Sequence, residues 1–206
     1  MTSDPPAPLV VEYGEAGAAL EGNVSGDLLV VAGFPGGAVV AVLDGLGHGY
    51  EAAVASRRAA RVLQAYPAEP VTVLVERCHE ELRGTRGAVM TLASFDARSG
   101  AMTWTGVGNV DAILMRADRS AQPPREALTT RGGVVGYQLP PLRAQTLPIA
   151  PGDTLILATD GLKSAFVSGL EVRGGVAQIA QSILARFARG TDDALVAVAR
   201  YLGAEP

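Results

Sequence analysis

Short segments rich in Val, Ile, Leu and Thr recur along this chain without the regular strand–helix alternation that builds a parallel sheet. Residues 9–13, 27–32, 38–43, 88–95, 101–107, 111–116 and 153–159 read as strands, and 194–199 as a last one. The link Asp96-Ala97-Arg98-Ser99-Gly100 is short and ends in glycine, so 88–107 reads as a hairpin. Helical spacing shows in only three places. Residues 49–65 are alanine-rich and stop before Pro67, 70–82 sets Val71, Leu74, Val75, Cys78 and Leu82 at steps of three and four, and 176–187 repeats that pattern before Gly190. This order predicts an α+β fold, antiparallel sheets with helices on their outer faces. No period of about 20 to 50 residues recurs, which removes solenoids and propellers.

A length of 206 residues predicts one domain, placed at 9–203 after a polar, proline-bearing tail at 1–8. Apolar residues make up 48% and charged ones 18%, so the chain can fill a core and is not disordered. A formal net charge of −4 argues against nucleic acid as a partner. No apolar run approaches the roughly 20 residues of a membrane helix. Residues 1–8 lack the basic start and apolar stretch of a secretory signal, so a cytoplasmic location is expected. The single cysteine, Cys78, lies on a buried stripe, has no partner for an internal disulfide and fits a reducing compartment.

The chemistry-bearing residues are aspartates that directly follow or open apolar strands. Asp27 opens one strand, Asp44 and Asp160 each end one and are each followed by glycine, and Asp192-Asp193 precedes the last. A single such aspartate is explained by turn formation, because its side chain bonds a nearby backbone N–H. Four strand ends meeting would instead crowd carboxylates that repel one another unless a cation compensates them. Glycine beside the carboxylate lets a backbone carbonyl approach a ligand closely. That mixture of carboxylate, carbonyl and water oxygens suits Mg²⁺ or Mn²⁺. Two such ions about 3.5–4 Å apart activate water for in-line attack on phosphorus. There is no His or Cys pair at zinc spacing.

Taken in order, Ser25-Gly26-Asp27, Val42-Leu43-Asp44-Gly45-Leu46-Gly47-His48-Gly49, Ala158-Thr159-Asp160-Gly161-Leu162 and Thr191-Asp192-Asp193-Ala194 resemble the motifs of the PPM-type metal-dependent Ser/Thr protein phosphatases, in their bacterial SpoIIE-like branch. Thr85-Arg86-Gly87-Ala88-Val89-Met90 and Gly106-Val107-Gly108-Asn109-Val110 are similar to the small stand-alone phosphatases of stressosome signalling within it. The resemblance implies two packed antiparallel β-sheets flanked by α-helices, with the metal site at one end. It implies that Asp27, Asp44 and the Gly45 carbonyl serve one divalent cation, Mn²⁺ or Mg²⁺, and that Asp44, Asp160 and Asp192 serve a second. Asp44 and Asp160 would then act catalytically through metal-bound water, on phosphoserine or phosphothreonine of a regulatory partner of the STAS-domain type. A monomer or weak dimer is expected.

The sequence departs from the eukaryotic pattern in two respects. Leu46 stands where many relatives carry a histidine proposed as general acid, so metal-bound water or the nearby His48 is left to protonate the leaving group. Their phosphate-binding arginine has no counterpart near the start of the chain, so the metal ions carry the phosphate charge, with Lys163 or Arg86 as candidates beside them. The alternative reading is a PPM-fold module that binds phosphorylated partners without hydrolysing them.

The glycine-rich stretch 45–49 lacks the Lys-Ser/Thr ending of a P-loop and the spacing of a dinucleotide fingerprint. It also misses the Asp-x-Gly-x-Gly spacing of histidine-kinase-like ATPases. His79 reads as a solvated side chain on an exposed helix face, and Trp104 and Phe95 as core or sheet-face residues. Arg57, Arg58 and Arg61 read as a solvated helix side or a docking face for an acidic partner. Asn109 reads as a residue suited to a glycine-flanked turn.

Overall fold

The computed structural model describes residues 9–20, 24–170 and 172–204; the expected tail at 1–8 lies outside the described residues. Among the described residues, ten strands form two five-stranded antiparallel sheets. One sheet has the order β1 (Val11–Ala18), β10 (Ala194–Tyr201), β9 (Thr154–Ala158), β6 (Asp111–Met115), β7 (Arg125–Ala127). The other has the order β2 (Asp27–Phe34), β3 (Gly37–Gly45), β4 (Ala88–Asp96), β5 (Ala101–Val107), β8 (Gln145–Pro148). Helices α1 (Tyr50–Ala65) and α2 (Val71–Leu82) cover the outer face of the β2–β8 sheet, and α3 (Val176–Phe187) covers the outer face of the other. The α+β sandwich flanked by helices is therefore observed.

The period of two along each strand sorts side chains between layers. In β3, Val40 and Val42 enter the core between the sheets, with Phe95, Trp104, Leu155 and Leu157, while Val39, Ala41 and Leu43 face α1 and α2. Both faces of the central strands are therefore covered, and they read as continuous apolar runs. α1 buries Ala52, Ala53, Ala55, Ser56, Ala59, Ala60 and Leu63. Those small side chains let the helix lie close to the sheet.

Three elements escape the sequence pattern. β7 and β8 have three and four residues, too few for a period to show, and β8 ends in Pro148 at a sheet edge where no ladder N–H is required. Ser164–Gly169 forms a 3₁₀ turn. β1 was expected at 9–13 and runs instead over Val11–Ala18, through Gly14 and Gly17. Gly14 does not end the strand: a Cβ there would lie 2.6 Å from the Ala177 backbone nitrogen, so the glycine admits α3 against the sheet. No helix among the described residues is long and apolar enough to cross a membrane.

Candidate metal centre

The site is where the inward-facing rows of four strands change from apolar to polar. Asp44 extends the row of Val40 and Val42, and Asp27 stands opposite it in the β2–β3 register. Thr159 extends the row of Leu155 and Leu157, and Asp193 precedes that of Leu195 and Ala197. Directly paired antiparallel residues have side chains on the same face, with Cβ atoms about 4.5–5.5 Å apart. Asp27 and Asp44 are therefore neighbours at one end of the core.

Polar contacts lock this end together across the two sheets. Thr159 donates its hydroxyl to Asp27 Oδ2 at 2.8 Å and accepts the Leu195 N–H at 2.9 Å. Asp193, nearly fully buried, accepts the Gly26 N–H and the Leu20 N–H, each at 2.7 Å. The Gly45 N–H donates to the Gly26 carbonyl at 3.1 Å, and the Ser56 hydroxyl of α1 donates to the same oxygen. A Cβ on Gly26 would come within 3.0 Å of the Gly45 carbonyl oxygen, so a bare backbone there leaves that oxygen uncrowded. A Cβ on Gly45 itself would lie 2.1 Å from the Ala52 carbonyl oxygen. The alanine-rich start of α1 and the Asp-Gly pair are thus one packing unit.

Asp160 and Asp192 are exposed at the mouth, beside Asp44, Leu46, His48 and Asn109 in a cavity of about 560 Å³. Burial pushes the Asp44 carboxyl up to about 8, and the charges of Asp27, Asp160, Asp192 and Asp193 push the same way. Burial raises Asp27 to about 7, against the lowering effect of the Thr159 hydrogen bond and with further upward push from Asp193, Asp160 and Asp192. Among the described residues lining the cavity there is no lysine or arginine. Two half-buried carboxylates without a lysine or arginine beside them are a charge deficit that a divalent cation fits.

The donor set is all oxygen. Asp27, Asp44, Asp160 and Asp192, with the Gly45 carbonyl, could hold hard cations. Among the described residues no three His, Cys, Asp or Glu side chains are grouped to close on one ion, so Asp44, Asp160 and Asp192 do not converge on a single point as they stand.

The remaining candidates fall as follows. His48 lines the cavity and is exposed. Arg86 is paired with Glu51 beside Gly47, and Lys163 is exposed. His79 is not a solvated surface side chain: half-buried, its Nδ1 accepts the Gly136 N–H at 2.9 Å. Arg57, Arg58 and Arg61 are exposed on α1. Sequence reasoning missed Thr159, the bonding role of Asp193, and Asn109, whose Nδ2 donates to Asp160 Oδ2 at 2.7 Å. The only signal for them was a polar side chain at an inward-facing or glycine-flanked strand end.

Two antiparallel sheets packed face to face with helices on both outer sides match the fold of PPM phosphatases. The chain belongs to the SpoIIE family, whose model, stage II sporulation protein E (SpoIIE), matches residues 35–202. RsbX of Bacillus subtilis (strain 168), a phosphoserine phosphatase, is 27% identical over 124 residues, 60% of this chain. That match spans 60% of the length of RsbX. A solved structure from work on "the bacterial stressosome: a modular system that has been adapted to control secondary messenger signaling" is 30% identical. It covers 92% of this chain and 99% of that one, with a TM-score of 0.82. The crystal structure of RsbX in complex with magnesium shares the fold at 23% identity and a TM-score of 0.81, over 92% and 94% of the two chains.

Proposed function

We infer that this chain is a divalent-metal-dependent protein phosphatase that hydrolyses phosphoserine or phosphothreonine on a regulatory protein partner. The observation that carries this reading is the half-buried facing pair Asp27 and Asp44, with Asp44 lining, beside Asp160 and Asp192, a cavity that has no lysine or arginine among its described lining. A phosphate group brings more negative charge to a place already rich in it, so substrate binding requires added cations. Two Mg²⁺ or Mn²⁺ ions there would supply that positive charge and a nucleophilic water at neutral pH.

The residues divide the work. Asp27 and the Gly45 carbonyl hold one side of the centre, Asp160 and Asp192 the other, and Asp44 stands between them. Thr159 and Asp193 fix the strand ends on which these oxygens ride. Attack of water on phosphorus breaks the P–O bond to the serine or threonine, and the departing oxygen needs a proton. A water held by the ions, or His48 at the cavity wall, would supply it, since Leu46 cannot. The family and the stressosome relatives support a phosphorylated signalling partner, for which a STAS-domain protein is the proposed type. We take 9–203 as a single domain working in the cytoplasm as a monomer or weak dimer.

The test is phosphate release from a phosphoserine STAS-domain protein by the purified chain with Mn²⁺ or Mg²⁺. Turnover that EDTA abolishes and that Asp44→Ala loses by at least about 10³-fold supports the reading. Metal-loaded chain that binds the phosphoprotein without releasing phosphate favours the non-catalytic module instead.

A further inference from the structure

We propose that Asn109 is a positioning residue for Asp160, an inference that rests on the phosphatase reading and deepens its account of the metal centre. β6 and β9 pair with Asp111 opposite Ala158, and continuing that register two residues beyond the ladder sets Asn109 opposite Asp160. The amide Nδ2 then lies 2.7 Å from Asp160 Oδ2. The nitrogen is the atom that must face the carboxylate, because two acceptor oxygens at that distance would repel.

The turn itself does not call for asparagine. Its left-handed position is taken by Gly108, with φ of 98°, where a Cβ would also strike the Val89 side chain at 2.2 Å. Gly108 N–H donates to the Arg131 carbonyl at 2.7 Å, and the Thr91 hydroxyl donates to the Val110 carbonyl at 2.8 Å. The residue between these two anchors is held in place by its neighbours, so its side chain is free to serve the cavity.

Asp160 is exposed and would otherwise sample several rotamers. One amide N–H on Oδ2 selects a carboxylate orientation and leaves Oδ1 for a cation. The donor is neutral, so it orients the carboxylate without supplying the positive charge that an arginine or lysine would bring in competition with the metal. Partners of this kind behind a ligating carboxylate are worth about 10–100-fold in metal affinity.

The test is calorimetric Mn²⁺ titration of the full chain as wild type, Asn109→Leu and Asn109→Gln, with thermal unfolding of each metal-free protein. Asn109→Leu keeps the γ-branched shape and loses the donor. It is expected to weaken Mn²⁺ about tenfold, leave the metal-free Tm within about 1 °C, and lower kcat on the phosphoprotein with little change in KM. Asn109→Gln, which keeps the amide on a longer arm, should recover part of the affinity. Wild-type Mn²⁺ affinity in Asn109→Leu overturns the proposal, as does a loss shared equally by both variants and matched by a lower metal-free Tm. A wild-type chain that takes up no Mn²⁺ overturns the phosphatase reading itself, a result distinct from the other two.

Discussion

The Thr159 hydroxyl joins the two sheets by donating to Asp27 Oδ2, while its oxygen receives the Leu195 N–H. One side chain thus ties the end of β9 to the start of β2 and to its neighbour β10. Thr159→Val keeps the shape, strands the buried Leu195 N–H and removes the contact that lowers the Asp27 pKa. A loss of about 1–3 kcal/mol is expected in urea unfolding. NMR titration of the metal-free variant should show the Asp27 carboxyl titrating higher than in the wild type.

The adjacent aspartates 192 and 193 should separate cleanly. Asp193 is buried on two backbone N–H groups, whereas Asp192 is exposed at the cavity. Asp193→Ala is expected to cost about 2–3 kcal/mol and to lower Tm by about 5–10 °C. Asp192→Ala removes a repulsive charge but also the acceptor of the Asp193 N–H at 2.9 Å, so it should change the metal-free Tm far less than Asp193→Ala while weakening Mn²⁺ binding. Equal destabilisation by the two substitutions would contradict this division.

Gly45 is required for packing before any question of chemistry. Its missing Cβ is occupied by the Ala52 carbonyl oxygen, 2.1 Å from where the carbon would lie. Gly45→Ala must push α1 off the sheet, at a cost of about 3 kcal/mol, and circular dichroism melting measures it directly. Gly49→Ala serves as the contrast: no atom lies within 4 Å of its Cβ position, so only the strain of φ at 77° is added.

Stability without metal should fall as pH rises. Asp27 and Asp44 have folded-state pKa values raised to about 7 and about 8, against an unfolded value near 4. The native state therefore binds more protons than the unfolded chain between about pH 4 and 8. This contribution is complete below pH 4 and is lost as pH climbs through the folded values. The Tm of EDTA-treated protein is expected to drop from pH 5 to pH 8.5, by about 2–4 °C for each kcal/mol lost. Added Mn²⁺ should recover more stability at pH 8.5 than at pH 5. A metal-free Tm that rises over this range would contradict the raised pKa values.

The long strands and the three helices were legible because each carries a full period of apolar residues. β7 and β8 were not, because three or four residues at a sheet edge carry none. The first strand, read at 9–13, runs on through Gly14, whose missing Cβ is where α3 comes close and so reflects a helix distant in sequence. Asp44 and Asp160 stood out as charges at the ends of apolar runs. Asn109 and Thr159 did not, since their partners are 51 and 132 residues away and only the non-local pairing of strands reveals them. His79 looked solvated because its bond to Gly136 comes from a loop 57 residues further on.

Anomalous diffraction from a crystal of the wild-type chain soaked in Mn²⁺ addresses the metal centre most directly. Two peaks about 3.5–4 Å apart are expected between the ends of β2, β3 and β9, with a carboxylate oxygen of Asp44 within reach of both. Manganese absent from this cavity, or bound only on a distant face of the molecule, would contradict the account.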